Sequence, residues 1–394
     1  MRKLSIHFKY LYFSQLFANI GDVLYIVALI GYVYSQTHSA QASVYIPITI
    51  TAAVFSSGWF APYVYSRWSK KEILLFNQTV KTFLMIVILI IMVLTEQIYL
   101  LYILAFLNAF LDGFTNPLKM TLIPLTEHTE HIGYANAQMS MMNGMVQIGS
   151  WSLGGILLLL GSEWVIVITT VLYIASVTLI NRLHLQQDGL ETDQTSIFRS
   201  FSRMMKVNQS LKESHFLNKT TLFESIGHSV WLAAILLVFV AERLQANVSW
   251  FSLINALFFL GVLVGGLLLT KFNDKLLNHT RLYIVTIPLI LALLNIIFVY
   301  NKSFLLAFII SFIFGVCDEL RATLMHTQLQ MRLDDYSLTA LYTLNGMVYS
   351  LCFCVSSYVV GITADYSVVA AFLIAACAYI ICFLISMKYR KLFK

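Results

Sequence analysis

From Tyr10 onward the chain is a succession of apolar runs of about twenty residues, separated by short polar segments. A helix of that length matches the hydrocarbon core of a bilayer. In lipid every backbone N–H and C=O has to be satisfied within the protein, so such runs are read as helices. The hydropathy pattern predicts spans over 10–34, 42–65, 73–95, 98–118, 136–160, 164–181, 217–241, 248–270, 280–300, 303–324, 338–362 and 367–387. Composition agrees: 59% of the 394 residues are hydrophobic and 11% charged. A soluble domain carries about a quarter charged residues. A soluble enzyme, a disordered chain and a disulfide scaffold are thereby excluded. The expected class is an all-α membrane protein with twelve transmembrane helices.

Lysine and arginine set the expected orientation. With the N-terminus inside, the inner segments hold 22 of these residues and the outer segments two, Arg243 and Lys302. This bias places both termini in the cytoplasm. Met1-Arg2-Lys3 before an apolar run imitates a secretory signal, but the run to Val33 is too long, so an uncleaved first span is expected. The one long polar stretch, Asn181 to Ser214, divides the chain into bundles 1–181 and 216–394 joined by a linker, 182–215. Gln186 to Ser196 reads as flexible. Ile197 to Leu211 alternates Ile197, Phe201, Met204, Met205 and Val207 with Arg199, Arg203 and Lys206, the pattern of an amphipathic helix on a membrane surface. The net charge of +6 is spread over many short loops and is no nucleic-acid footprint. The five cysteines, all in apolar stretches, are read as packing residues.

The halves repeat. Asn143-Gly144-Met145-Val146 recurs as Asn345-Gly346-Met347-Val348, 202 positions on. The same offset carries Gly113 onto Gly315, Lys119 onto Arg321, Thr121 onto Thr323 and Asp22 onto Glu224. Two six-helix, pseudo-symmetric halves in the same orientation are the expectation.

An ionised side chain in hydrocarbon is costly, so intramembrane charges line a cavity or pair. Gln15, Asn19 and Asp22 form one polar stripe along span one. In span seven Thr220, Glu224 and His228 share a face, and Glu224 and His228 are candidates to share a proton. Asp22, Glu224 and His228 are the expected proton-coupling groups, against static helix–helix contacts as the alternative. Span four adds Asn108, Asp112, Asn116 and Lys119, and Lys81 either snorkels or neutralises Asp22 or Asp112. Asn143, Gln147, Asn345 and Tyr349 complete the expected solute contacts with Gln15, Asn19, Lys81 and Asp112. Arg67, Lys70, Asp318, Glu319 and Arg321 are candidates for an inner gate. Trp59, Trp151 and Trp231 are read as packing or interfacial anchors rather than solute-stacking residues. Glu127-His128-Thr129-Glu130-His131 resembles a metal motif but falls in a short loop, so no metal and no cofactor is expected. No phosphate-binding loop marks an ATP-driven pump.

Certain segments carry a resemblance. They are Gly21-Asp22, Tyr34 to Ala40, Asn116-Pro117 with Pro124, and Ala135-Asn136-Ala137. The chain resembles the major facilitator superfamily, and its N-half is similar to the branch of macrolide-efflux and enterobactin-exporter-like proteins. The superfamily's Gly-x-x-x-Asp-Arg motif stands here as Pro62-Tyr63-Val64-Tyr65-Ser66-Arg67, without its Gly and Asp. The exporter motif of span five stands as Ser150-Trp151-Ser152-Leu153-Gly154-Gly155, keeping the glycine pair alone. The resemblance implies a monomeric secondary transporter of a bacterial cell membrane, working by alternating access. It implies proton-coupled efflux of a small polar or zwitterionic metabolite such as a siderophore or other metallophore. The alternatives are a multidrug or macrolide-type pump and, from another class, a non-transporting membrane sensor or scaffold.

Overall fold

The computed structural model describes residues 4–37, 40–95, 97–157, 161–183, 185, 196–231, 235–236, 239–240, 243–245 and 249–393. The linker segment read as flexible lies outside these residues except for Ser196. Every regular element among them is helical: α1 (Ile6–Thr37), α2 (Ala40–Ser57), α3 (Ala61–Tyr65), α4 (Lys70–Leu94), α5 (Ile98–Thr126), α6 (Ile132–Leu157), α7 (Ser162–Asn181), α8 (Ile197–Ser210), α9 (Lys212–Ser229), α10 (Ser249–Asn278), α11 (Thr280–Tyr300), α12 (Phe304–Arg332), α13 (Asp335–Tyr366) and α14 (Val368–Lys388).

Eight of the described helices are long and apolar enough to cross a membrane on length and composition alone. The expected second span is broken by a turn after Ser57 into α2 and α3. The expected spans five, seven and ten are helical as α6, α9 and α12, but polar and charged residues dilute their hydropathy. Those helices carry Asn143, Gln147, Glu224, His228, Asp318, Glu319 and Arg321 of the candidate site residues. Several helices overrun the predicted spans because a helix can continue into the polar interface. Caps then stop it: Ser69 and Glu72 form a reciprocal capping box at α4, and Ser367 accepts from the amide of Ala370 at α14. At α1, Ser5 Oγ accepts from the Phe8 amide, and the Glu127 carboxylate at the end of α5 accepts from the Ser5 amide at 2.7 Å. That contact gives Glu127 a structural role. Four of the five prolines (Pro47, Pro117, Pro124 and Pro288) lie inside helices, as membrane helices tolerate.

The chain forms two compact units. The first is Met1–His131, Met145–Lys206 and Asp335–Gly346; the second is Ile132–Gly144, Val207–Asp334 and Met347–Lys394. The first parts of α6 and α13 thus each join the unit built mainly by the other half of the sequence. In the first unit α1 and α4 pack on α7, and α2 and α4 on α5. In the second, α9 and α11 pack on α14, and α10 and α11 on α12. The two packing schemes repeat element for element. Leu29, Met85 and Tyr173 sit in the core of the first unit, and Trp231, Phe298 and Phe372 in that of the second. Helix α8 uses part of its apolar face within the first unit: Met204 is buried and Phe201 stacks on Trp59 at 4.6 Å. Phe198 stays 81% exposed, and Arg199, Arg203 and Lys206 are exposed on the polar face.

Interhelical contacts fix the register of the repeat. Ser176 Oγ donates to the Ser14 carbonyl at 2.8 Å, and Cys382 Sγ to the Thr220 carbonyl at 3.6 Å. A Cβ on Gly21 would come within 2.5 Å of the Tyr173 ring, and one on Gly227 within 2.5 Å of the Tyr379 ring. Each of these correspondences is 206 positions apart, one helical turn beyond the 202 read from spans four, five, ten and eleven. The equivalence of Asp22 with Glu224 is therefore corrected. His228 holds the place that Asp22 holds in the first unit, because helix packing on α7 and α14, rather than loop length, sets the register.

Candidate functional site

In the first unit the charged side chains of three helices converge. Lys81 on α4 is 1% exposed, and its Nζ donates to Asp22 Oδ1 on α1 and to Asp112 Oδ1 on α5, both at 2.6 Å. Of the two readings of Lys81, neutralisation holds and snorkelling does not. The Tyr173 hydroxyl on α7 also donates to Asp22 Oδ1, and the ammonium lies 5.0 Å from the Tyr173 ring centre. Gly21 leaves the room that this tyrosine fills. The Asp22 side chain is 21% exposed and that of Asp112 14%, so the carboxylates stay within reach of water while their cation does not.

One ammonium between two carboxylates leaves a net negative charge. Lys119, two turns beyond Asp112 on α5, acts electrostatically on both acids and donates to Asn19 Oδ1 at 3.2 Å. Lys119 lies on the polar stripe of span four, although by hydropathy alone it falls with the inner basic residues. Helix α5 continues to Thr126, which leaves Lys119 well inside it. Asn116, one turn away, is exposed, whereas Gln15 is buried with its side-chain oxygen unpartnered among the described residues. The arrangement offers acceptors (Asp22, Asp112) and donors (Lys119, Asn19, Asn116) along one face.

Among its described residues the second unit holds an ion pair and a histidine–carboxylate contact that are separate from each other. Glu224 on α9 meets Arg321 on α12, and His228 Nε2 lies 2.9 Å from Asp318 Oδ1, also on α12. Glu224 and His228 do share a face, yet their side chains take different partners. What His228 takes from Glu224 is the backbone carbonyl, 2.8 Å from Nδ1. The candidate gate residues also diverge. Glu319 is buried and accepts from Thr323 and Ser140, while Asp318 and Arg321 turn to α9. Lys70, buried, pairs with Asp335 at the start of α13, and Arg67 lies over the Tyr63 ring at 4.3 Å.

The solute-contact candidates divide. Asn143 and Tyr349 are exposed and Asn345 is half-buried, whereas the side chains of Gln147 and Trp151 lie outside the described residues. Trp231 packs among Phe258, Phe298 and Phe314, as read from the sequence.

Comparison with known proteins gives the family and the fold. The chain is 23% identical over 360 residues to the uncharacterized MFS-type transporter YfmI of Bacillus subtilis (strain 168), covering 90% of this chain and 88% of that one. It is 23% identical over 361 residues to YjbB of the same organism, another uncharacterized MFS-type transporter, covering 89% and 87%. Its fold matches a bacterial homologue of the iron transporter ferroportin with a TM-score of 0.76, 12% identity and coverage of 98% and 99%. It also matches the Escherichia coli fucose:proton symporter FucP at 0.75, with 12% identity and coverage of 97% and 98%. At such identities the solved structures speak for the fold. The sequence profile of the transmembrane secretion effectors matches residues 4–392, which is nearly the whole chain. The protein is a multi-pass membrane transporter and not an enzyme. It belongs to the transmembrane secretion effector family of the major facilitator superfamily.

Proposed function

We propose that the protein exports a small polar or zwitterionic molecule in exchange for protons, by alternating access. The observation that carries this reading is the Lys81 ammonium held between Asp22 and Asp112. A structural ion pair needs one acid. A second acid on a partly accessible face leaves a place where a proton or a solute cation can compete for the same ammonium. Lys119 with Asn19 supplies the opposite polarity for an acidic group. A siderophore or other metal chelator, carrying both kinds of group, fits that face. The proposed coupling groups are Asp22 in the first unit and His228 in the second, whereas Glu224, the expected sharer of that proton, is matched by Arg321. Gln15, Asn19, Lys81, Asp112, Asn143, Gln147, Asn345 and Tyr349 are the proposed solute contacts. The distribution of lysine and arginine supports a cell-membrane orientation with both termini inside.

Everted vesicles test the coupling. Metabolite extract is added outside energised vesicles, and uptake is read by mass spectrometry. Wild-type protein accumulates one class of solute, and an uncoupler stops it. Asp22→Asn inserts in equal amount and loses the proton-driven part of uptake. Full uptake by that variant under a proton gradient removes Asp22 from the coupling.

A second reading, export of an amphiphilic antibiotic, draws on a separate feature. A cavity of about 450 Å³ in the first unit is walled by Trp68, Ile73, Phe76, Leu111 and Phe114. Apolar aromatic walls of this kind accept varied shapes. Cells lacking the protein distinguish the readings: lowered antibiotic tolerance favours the second, and an altered pool of secreted polar metabolites the first.

A further inference from the structure

The contacts of His228 are chemically incomplete without an extra proton. Nδ1 is 2.8 Å from the Glu224 carbonyl oxygen, and Nε2 is 2.9 Å from Asp318 Oδ1. A backbone carbonyl can only accept, and an ionised carboxylate can only accept. A neutral imidazole has one N–H and one bare nitrogen, so it can satisfy one of these contacts and not both. The second requires a proton, either on Nε2 facing the carboxylate or on the Asp318 carboxyl facing Nε2.

We propose that His228 and Asp318 together form a site for one exchangeable proton, the proton carrier of the second unit, and that Glu224 serves instead as the counter-ion of Arg321. The role in transport rests on the proton-coupled reading above; the proton site itself rests on the geometry.

The surroundings suit that task. The His228 and Asp318 side chains are 29% and 27% exposed, so neither is sealed within the helix packing. The Phe314 ring on α12 stands edge-on to the imidazole at 6.3 Å, and the Tyr379 ring on α14 at 5.9 Å. The Tyr379 hydroxyl has no partner among the described residues. Beside Asp318 on α12 are Cys317 and Glu319, and Tyr349 on α13 lies within its electrostatic reach. On α9 itself the nearest charge is Glu224, already matched by Arg321. No fixed cation is therefore paired with Asp318 among the described residues. The first unit differs at this point. There Asp22, 206 positions before His228, shares Lys81 with Asp112. The second unit holds a proton where the first holds an ammonium.

Loading and release balance simply. Loaded, the dyad is an imidazolium and a carboxylate, or their neutral pair, with zero net charge. On release the proton passes to water and the dyad becomes negative. The neutral ring keeps one N–H, so it no longer donates to both the Glu224 carbonyl and the Asp318 carboxylate, and one of the two contacts is lost.

Histidine-labelled, full-length protein in lipid nanodiscs tests the site by ring-nitrogen NMR, with the His228 signal assigned by its loss in His228→Gln. The expected result is a His228 ring protonated on both nitrogens at neutral pH that loses one proton as the pH rises. In Asp318→Asn the new amide donates to Nε2 and the ring stays neutral throughout. Proton uptake on a pH step supplies an independent count, which falls by one in both variants. Glu224→Gln separates the acids: an unchanged count supports Asp318 as the partner, and a count lower by one overturns it. A proton held on the carboxyl instead gives an infrared acid band that Asp318→Asn removes, which also supports the site. A neutral ring with no such band, or a His228 titration that Asp318→Asn leaves unchanged, overturns it. If the dyad titrates as expected and vesicles show no proton-driven transport, the site stands and its role in coupling falls.

Discussion

Replacing Lys81 by methionine stops transport and destabilises the first unit by about 3–5 kcal/mol, the cost of removing one partner from a buried ion pair. The geometry gives the reason. Both acid oxygens lie 2.6 Å from one nitrogen, so they are at most about 5 Å from each other. Without the cation, two like charges remain in a site where the lost ammonium was 1% exposed. Lys119 reaches them only at longer range. Neutralising all three groups, as Asp22→Asn, Lys81→Met and Asp112→Asn together, removes the repulsion and restores thermal stability, because an uncharged replacement for a buried ion network is close to neutral for folding. It does not restore transport. Melting in detergent and uptake into everted vesicles, measured on the same preparations, separate the two effects. Wild-type transport by Lys81→Met would show that the network is scaffolding alone.

The sequence exposes some of this and hides the rest for physical reasons. The spans were legible because lipid leaves the backbone one economical solution and the apolar runs have its length. Asp22, Asp112 and Lys81 stood out because charge within an apolar run is rare. Their meeting was weighed against snorkelling and needed the fold, since three helices separated by loops have to pack before one ammonium can reach two acids. The repeat was visible in spans five and eleven, but its register at His228 was not. One turn separates the two halves between these helices, and a chance match of Glu224 to Asp22 fell at the wrong turn. Asp318, Glu319 and Arg321 look like a single cluster in the sequence because the three lie close together. On a helix, Asp318 and Arg321 turn together toward α9 while Glu319 points toward Ser140 on α6. Lys119 was counted at the surface because the predicted fourth span ended at 118, two turns before the helix does.

Gly315→Ala should collapse the packing of the second unit, with a loss at or above the upper end of the roughly 1–3 kcal/mol typical of overpacked cores. A Cβ on Gly315 would lie 2.1 Å from the Phe258 carbonyl oxygen, and one on Gly261 would lie 2.1 Å from that of Phe312. The two glycines are reciprocal, each backbone pressed against the turn that precedes the other. The obstacle is main chain on both sides, so no rotamer change relieves it and α10 has to move away from α12. Small residues at such crossings are what let membrane helices approach closely. Gly265, one turn on from Gly261, extends the contact to Val316 and Glu319. Ser311 ties the same helices through its hydrogen bond to the Ile254 carbonyl at 2.7 Å. Gly361, with nothing within 4 Å, is the control, and its change to Ala leaves the melting temperature unchanged or slightly higher. A Gly315→Ala protein melting with the wild type would show that the crossing is looser than drawn. If it melts lower as expected, α12 is anchored along α10.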